Sequence, residues 1–186
     1  EVSEYSFQTG LVPNWIFSRG FSKETLRQWG AAYDKEYDAL VLPVLDEYKR
    51  KVGWVKRIPN HDPKYVYSKG FEVSRVLFGV YNIPKDVPFV CVVEGSLDAL
   101  WLFQHNIPVV ALLGSYVSAE KVRLLKKLIR CSELVACLDN DKAGKDYAKR
   151  IANDLYGWCN SLKVLALPVD IKGDITDYLE THSIEQ

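Results

Sequence analysis

Carboxylate side chains follow the apolar runs in the second half of this 186-residue sequence. After the runs 89–93, 134–138 and 162–167 come the acidic residues Glu94, Asp98, Asp139, Asp141, Asp170, Asp174 and Asp177. Carboxylates brought together repel one another and raise one another's pKa, and a divalent cation removes that cost. Oxygen ligands suit Mg²⁺ or Mn²⁺, which retain waters and meet substrate phosphates. The pattern predicts such a metal site wherever these side chains converge.

Alternating strands and helices are the elements that must bring the carboxylates together. Strand-length apolar runs lie at 89–93, 109–113, 134–138 and 162–167, and helical segments lie between them at 97–104, 118–130 and 142–155. This alternation predicts an α/β domain, with a parallel sheet covered by helices on both faces. In such folds the chemistry gathers beyond the carboxyl ends of the strands. A glycine turn at 114–115 would reach the same edge.

The Asp139-x-Asp141 spacing sends both side chains to the same side of an extended chain, so both can reach one metal. Gly144 permits a close backbone approach to a phosphate or to the sheet. Structural roles compete with this interpretation, because an aspartate after a strand is often a helix N-cap and Asp98 suits the first turn of a helix. Acidic groups after consecutive strands favour the metal site.

The first half predicts a smaller mixed α+β domain over 1–88, followed by the parallel-sheet domain over 89–186. Ser22 resembles an N-cap for a short helix that stops at Gly30. The segments 39–44 and 51–57 form a predicted hairpin. Val87-Pro88 marks the predicted boundary between the two domains.

Basic residues concentrate in one stretch although 24 basic and 24 acidic residues balance over the whole chain. From 49 to 75, Asp62 and Glu72 are outnumbered by eight basic residues, Lys49, Arg50, Lys51, Lys56, Arg57, Lys64, Lys69 and Arg75. Interleaved aromatics suit phosphates and stacked bases. The alternative is a solvated hairpin with its aromatic rings packed inward.

Several protein classes are excluded or disfavoured. No apolar run approaches the roughly 20 residues of a membrane helix, and no secretory signal opens the chain. The cysteines at 91, 131, 137 and 159 form no CxxC pair, and Cys91 and Cys137 lie inside apolar strand-length runs. This pattern predicts buried, reduced thiols in the cytoplasm. The absence of methionine predicts a fragment or a processed chain.

The order of short motifs resembles a known family. The runs EGSLD at 94–98, LGS at 113–115 and DNDKAG at 139–144 look like the TOPRIM domain of bacterial-type primases, topoisomerases and some nucleases. The first half is similar to the catalytic core of DnaG-type primases, of bacterial or phage origin. That similarity rests on RGFSKETL at 19–26, PV at 43–44, Gly53, Arg57, PKYVYS at 63–68 and LFG at 77–79.

The resemblance implies roles for the acidic residues. Glu94 matches the family's glutamate, a metal ligand or general base, and Asp98 supports it. The pair at Asp139 and Asp141 matches the metal-binding aspartates. A last acidic pair matches Asp174 and Asp177, which stand two residues apart where the family often has one, so either of them can be the ligand.

The resemblance also implies a function and partners. Arg57, Lys64 and Tyr65 match the primase basic motif that holds template or incoming nucleotide, and Arg75 extends that surface. The implied activity is DNA primase, a nucleotidyltransferase of DNA replication that uses Mg²⁺ or Mn²⁺, nucleoside triphosphates and a single-stranded DNA template. A replicative helicase is the expected partner, through regions absent from this chain. The alternatives are a TOPRIM nuclease and a non-catalytic DNA-binding or loading module.

Overall fold

The computed structural model describes residues 7–114, 117–128, 133–139, 141–158 and 161–165, together with Ile175 and Tyr178. The chain packs as two compact units, Glu1–Glu72 and Val73–Gln186. An antiparallel sheet forms the first and a parallel sheet the second, which confirms the predicted fold class. The two packing units divide after Glu72, whereas the predicted domain boundary follows residue 88. The predicted boundary therefore stays a prediction.

The first unit is an antiparallel sheet with the order β1-β2-β3-β4-β5. Its elements are β1 (Gln8–Thr9), α1 (Trp15–Ser18), α2 (Lys23–Gln28), β2 (Ala32–Asp34), β3 (Ala39–Leu45), β4 (Lys51–Arg57) and β5 (Tyr65–Tyr67). Helix α2 begins where Ser22 Oγ accepts the Thr25 N–H at 3.1 Å, and it ends before Gly30, whose φ is +66°. The predicted hairpin of β3 and β4 is confirmed.

The second unit is a parallel sheet with the order β7-β6-β8-β9. Its strands and helices are β6 (Phe89–Val93), α3 (Ser96–Gln104), β7 (Val109–Ala111), α4 (Ala119–Leu128), β8 (Glu133–Ala136), α5 (Lys142–Leu155) and β9 (Leu162–Val164). Strand β7 is shorter than predicted, since Leu113 leaves the extended region at φ +55°. The predicted end of the fourth strand, beyond residue 165, lies outside the described residues.

Both faces of the parallel sheet are buried, which explains its continuous apolar strands. On one face, Val92 packs in a core with Leu124 of α4 and Ile151 of α5. On the other face, Val93 is fully buried, and α3 packs against β7. Cys91 and Cys137 are buried free thiols, as predicted, whereas residues 131 and 159 lie outside the described part.

The helices in the described ranges include none that is long and apolar enough to cross a membrane.

Candidate active site

The carboxyl ends of β6, β7 and β8 adjoin at a topological switch point of the sheet. Strands β6 and β8 are neighbours, and the connection after β6 leads to β7 on one side whereas the connection after β8 leads to β9 on the other. Ligands of open α/β sheets bind in the crevice outside such a point. Glu94 directly follows β6, Gly114 follows β7, and Asp139 follows β8. The topology therefore places three of the predicted motifs at neighbouring strand ends.

The Glu94 side chain reaches the end of β8. The backbone N–H of Asp139 donates to Glu94 Oε1 at 3.3 Å, across 45 residues of sequence. Both residues are partly buried. The structure thus brings together the two motifs that the sequence pairs in one metal site.

Asp141 has a structural role that the sequence left as an alternative. Its Oδ1 accepts the Gly144 N–H at 2.7 Å and caps α5. A carboxylate has a second oxygen, so capping is compatible with metal binding. Gly144 itself packs against the strand end, because a Cβ at this position would lie 3.0 Å from both N and C of Asp139 and closer still to its carbonyl oxygen. The close approach of Gly144 is therefore to the end of the sheet.

Asp98 lies one turn after Glu94, in the first turn of α3, and is buried. The helix dipole favours an acid at this position. The location is compatible with the predicted supporting role, and that role stays a prediction.

The described residues include no group of three or more His, Cys, Asp or Glu side chains arranged to hold a metal ion. The predicted ligands Asp174 and Asp177 lie outside the described residues. Mg²⁺ is nevertheless commonly held by one or two carboxylates, with waters and substrate phosphates completing its shell. Glu94 and Asp139 supply two hard oxygen donors at adjacent strand ends, so the donor set present fits this ion.

The predicted nucleic-acid residues of the first unit cluster at the end of β4. Arg57 lies opposite Tyr65 in the sheet, with its guanidinium 5.2 Å from the ring centroid. The guanidinium also donates to the Ile58 carbonyl at 2.6 Å, and Lys64 beside them is exposed. Arg75 is exposed in the second unit, within the 3-10 turn Val73–Arg75.

Lys56 and Arg50 of the basic stretch form ion pairs within the fold, so the sequence count overstates the charge that is available to a ligand. Lys56 is buried, and its Nζ binds the Asp34 carboxylate at 2.9 Å. Arg50 binds Asp46 at 2.7 Å across the β3–β4 turn. Asp34 and Asp46 lie outside the counted stretch, which is why counting missed them.

Sequence reasoning missed Lys121. Its side chain is buried in the first turn of α4, and Nζ donates to the Leu112 carbonyl at 2.6 Å. Burial lowers the pKa of its ammonium to about 8. A signal was present, because Lys121 precedes the buried Leu124 and Leu125 by three and four positions and so lies on the same helix face.

Comparisons with known proteins agree with this architecture. Residues 91–179 match the family model described as Toprim-like. The DNA primase of Legionella pneumophila is 35% identical over 65% of this chain, and that of Synechococcus elongatus is 33% identical over 82%. A solved structure of the DnaG primase catalytic domain bound to ssDNA aligns with a TM-score of 0.76 at 22% identity, covering 92% of this chain and 69% of that one.

The chain has the fold of a DnaG primase catalytic core. Together with the family match and the DNA primase relatives, this confirms the resemblance to DnaG-type primases seen in the sequence. The chain spans 22% of the length of the Legionella relative and 23% of the Synechococcus relative.

Proposed function

We propose that this chain is the catalytic core of a DNA primase, which makes short RNA primers on single-stranded DNA from nucleoside triphosphates. The observation that carries the proposal is the contact between Glu94 and the Asp139 backbone at the switch point of the parallel sheet. Primase relatives on both sequence and structural comparison support it.

Glu94 and Asp139 would hold Mg²⁺ or Mn²⁺ together with Asp141 and one of Asp174 and Asp177. When bound, the ion neutralises phosphate charge and stabilises the leaving pyrophosphate. The 3′-hydroxyl of the primer attacks the α-phosphorus of the incoming nucleotide, a P–O bond forms, and the bond to pyrophosphate breaks. Glu94 either ligates the ion or accepts the hydroxyl proton, depending on the step.

The cluster of Arg57, Lys64 and Tyr65 binds template or nucleotide in this proposal. Arginine and lysine bind phosphate oxygens, and an aromatic ring offers a stacking surface for a base. The cluster is exposed at Lys64 and partly exposed at the other two residues. A helicase partner and a cytoplasmic location stay predictions from the sequence.

Glu94→Gln tests the proposal, because it keeps the size of the side chain and removes its charge. Glu133→Gln is a matched control: Glu133 begins β8, at the opposite end of the same sheet, where it pairs with Lys163 at 2.8 Å. Primer synthesis on single-stranded DNA should fall at least 100-fold in Glu94→Gln and stay within about twofold in Glu133→Gln, on the scale of losing one transition-state contact of about 3 kcal/mol.

Other outcomes of this assay would contradict the proposal. Mn²⁺-dependent cleavage of single-stranded DNA without nucleotide incorporation would identify a nuclease. DNA binding with neither reaction, unchanged by metal, would identify a binding or loading module.

A further inference from the structure

Lys121 places an ammonium group where it is unfavourable. The side chain is 1% exposed, and it lies near the amino terminus of α4, where the helix dipole opposes a positive charge. Burial lowers the pKa of the ammonium to about 8. The neighbouring Leu124 and Leu125 are fully buried on the same helix face. An apolar side chain would suit this environment better, so the lysine indicates a polar function.

The Lys121 ammonium binds one peptide group at the end of β7. Its Nζ donates to the carbonyl oxygen of Leu112 at 2.6 Å. The N–H of that same peptide belongs to Leu113 and donates to the carbonyl oxygen of Glu94 at 2.9 Å. The Leu112–Leu113 peptide therefore connects Lys121 on one side with the backbone of Glu94 on the other.

This peptide lies at a turn of unusual conformation. Leu113 has φ +55° and Gly114 has φ +125°. A left-handed conformation is unfavourable for leucine and persists only where the surrounding structure holds it. Because β7 ends at Ala111, the peptide lies beyond the named strand. Hydrogen bonds from Lys121 and to Glu94 hold both sides of this peptide.

We propose that Lys121 is a positioning residue, which holds the Leu112–Leu113 peptide and thereby orients Glu94 for its part in the metal site. The inference rests on the proposed function of Glu94. Lys121 contacts neither substrate nor metal in this arrangement. Its loss changes the geometry of Glu94 and leaves nucleotide binding by other residues unaffected.

Two substitutions test this role in the intact chain. Lys121→Met keeps an unbranched side chain and removes the donor, whereas Lys121→Gln keeps a neutral donor on a slightly shorter side chain. Arg123→Met is the control, because Arg123 lies on the exposed side of α4 and pairs with Glu120 at 2.9 Å. The measurements are Mn²⁺ binding by titration calorimetry, and kcat and KM for nucleotides in primer synthesis.

Lys121→Met should weaken Mn²⁺ binding about tenfold and lower kcat about tenfold, with KM for nucleotides within about twofold of wild type. Lys121→Gln should restore Mn²⁺ affinity to within about threefold of wild type, and Arg123→Met should match wild type.

The outcomes that overturn the inference are separable from failure of the proposed function. If wild type binds Mn²⁺ and makes primers, and Lys121→Met does both equally well, the role of Lys121 is refuted alone. Equal losses in Lys121→Met and Lys121→Gln, with lowered melting temperatures in both, would show a packing role and would also refute it. A wild-type chain that neither binds Mn²⁺ nor makes primers refutes the function of Glu94 and the inference together.

Discussion

Each unit of the molecule buries a lysine, and the two are stabilised in different ways. In the antiparallel sheet, Lys56 meets the Asp34 carboxylate at 2.9 Å, and its Nζ lies 4.2 Å from the Tyr37 ring centroid. In the parallel unit, Lys121 donates to the Leu112 carbonyl, and burial lowers the pKa of its ammonium to about 8. Lys56 thus binds a side-chain carboxylate, and Lys121 binds a backbone carbonyl at a strand end.

The difference follows from how the two sheets distribute polar groups. Lys56 on β4 and Asp34 on β2 project from the same face of the antiparallel sheet, and the long lysine side chain spans the intervening β3. A parallel sheet buried on both faces leaves its polar groups at the strand ends, where Glu94 and Asp139 meet. In the first unit, the Lys56–Asp34 ion pair therefore stabilises the fold. In the second unit, the carboxylates of Glu94 and Asp139 lie at strand ends, where a ligand can bind.

The largest expected effect is a loss of primer synthesis on substitution of Asp141, in the proposed metal site of the parallel-sheet unit. Asp141→Asn and Asp141→Ala should each lower primer synthesis at least 100-fold, because both remove a carboxylate from the proposed metal site. Only the alanine variant loses the cap on Gly144, at a cost of about 1 kcal/mol in unfolding free energy. Primer synthesis and chemical denaturation measure the two effects. Full activity in Asp141→Asn would leave Asp141 with the capping role alone.

Replacing each lysine in turn tests whether the two buried lysines contribute differently to the unfolding free energy. Lys56→Met leaves the part-buried Asp34 carboxylate without its ion-pair partner, so the unfolding free energy should fall by about 3 kcal/mol. Lys121→Met relieves a buried charge while leaving one carbonyl unpaired, so its change should be about 1 kcal/mol or less. Urea denaturation followed by circular dichroism compares the variants. Equal losses would show that the two environments do not differ energetically.

The depressed pKa of Lys121 predicts a pH dependence of stability. Its folded-state pKa of about 8 lies below the ordinary value of 10.5. Between these values the unfolded chain holds a proton that the folded chain has released, so stability rises with pH. Relative to Lys121→Met, wild type should gain about 1.5 kcal/mol in unfolding free energy between pH 8 and 9.5. A flat difference over this range would contradict the burial of a titrating amine.

The smallest expected effect concerns the exposed charge of the first unit. Lys64→Ala should weaken binding of single-stranded DNA about fivefold, and it should reduce the slope of log affinity against log salt by about 0.7. Lys51→Ala is the control, since Lys51 is also exposed but begins β4, at the opposite end of the strand from Arg57. Fluorescence anisotropy across a salt series measures both. Identical behaviour of the two variants would make the Arg57 cluster an ordinary solvated surface.

Local signals in the sequence predicted much of the fold. Helix α5 runs over Lys142–Leu155 as predicted, and α2 lies between the Ser22 cap and Gly30. Strand β6 has its predicted bounds, Phe89–Val93. Caps, glycines and apolar periodicity act within a few residues, so the sequence shows them directly. The candidate acidic residues could be found in the same way, because they stand at the ends of these elements.

The sequence by itself determined which segments form strands and helices, and which carboxylates follow them. Only the tertiary structure decided that β6 lies between β7 and β8, and that Glu94 meets Asp139 from 45 residues away. It also decided that Lys56 forms an ion pair with Asp34 and that Lys121 is buried. The physical reason is that hydrogen bonds and burial depend on neighbours in space. A lysine is written identically in the sequence whether its ammonium group is solvated by water or paired with another residue.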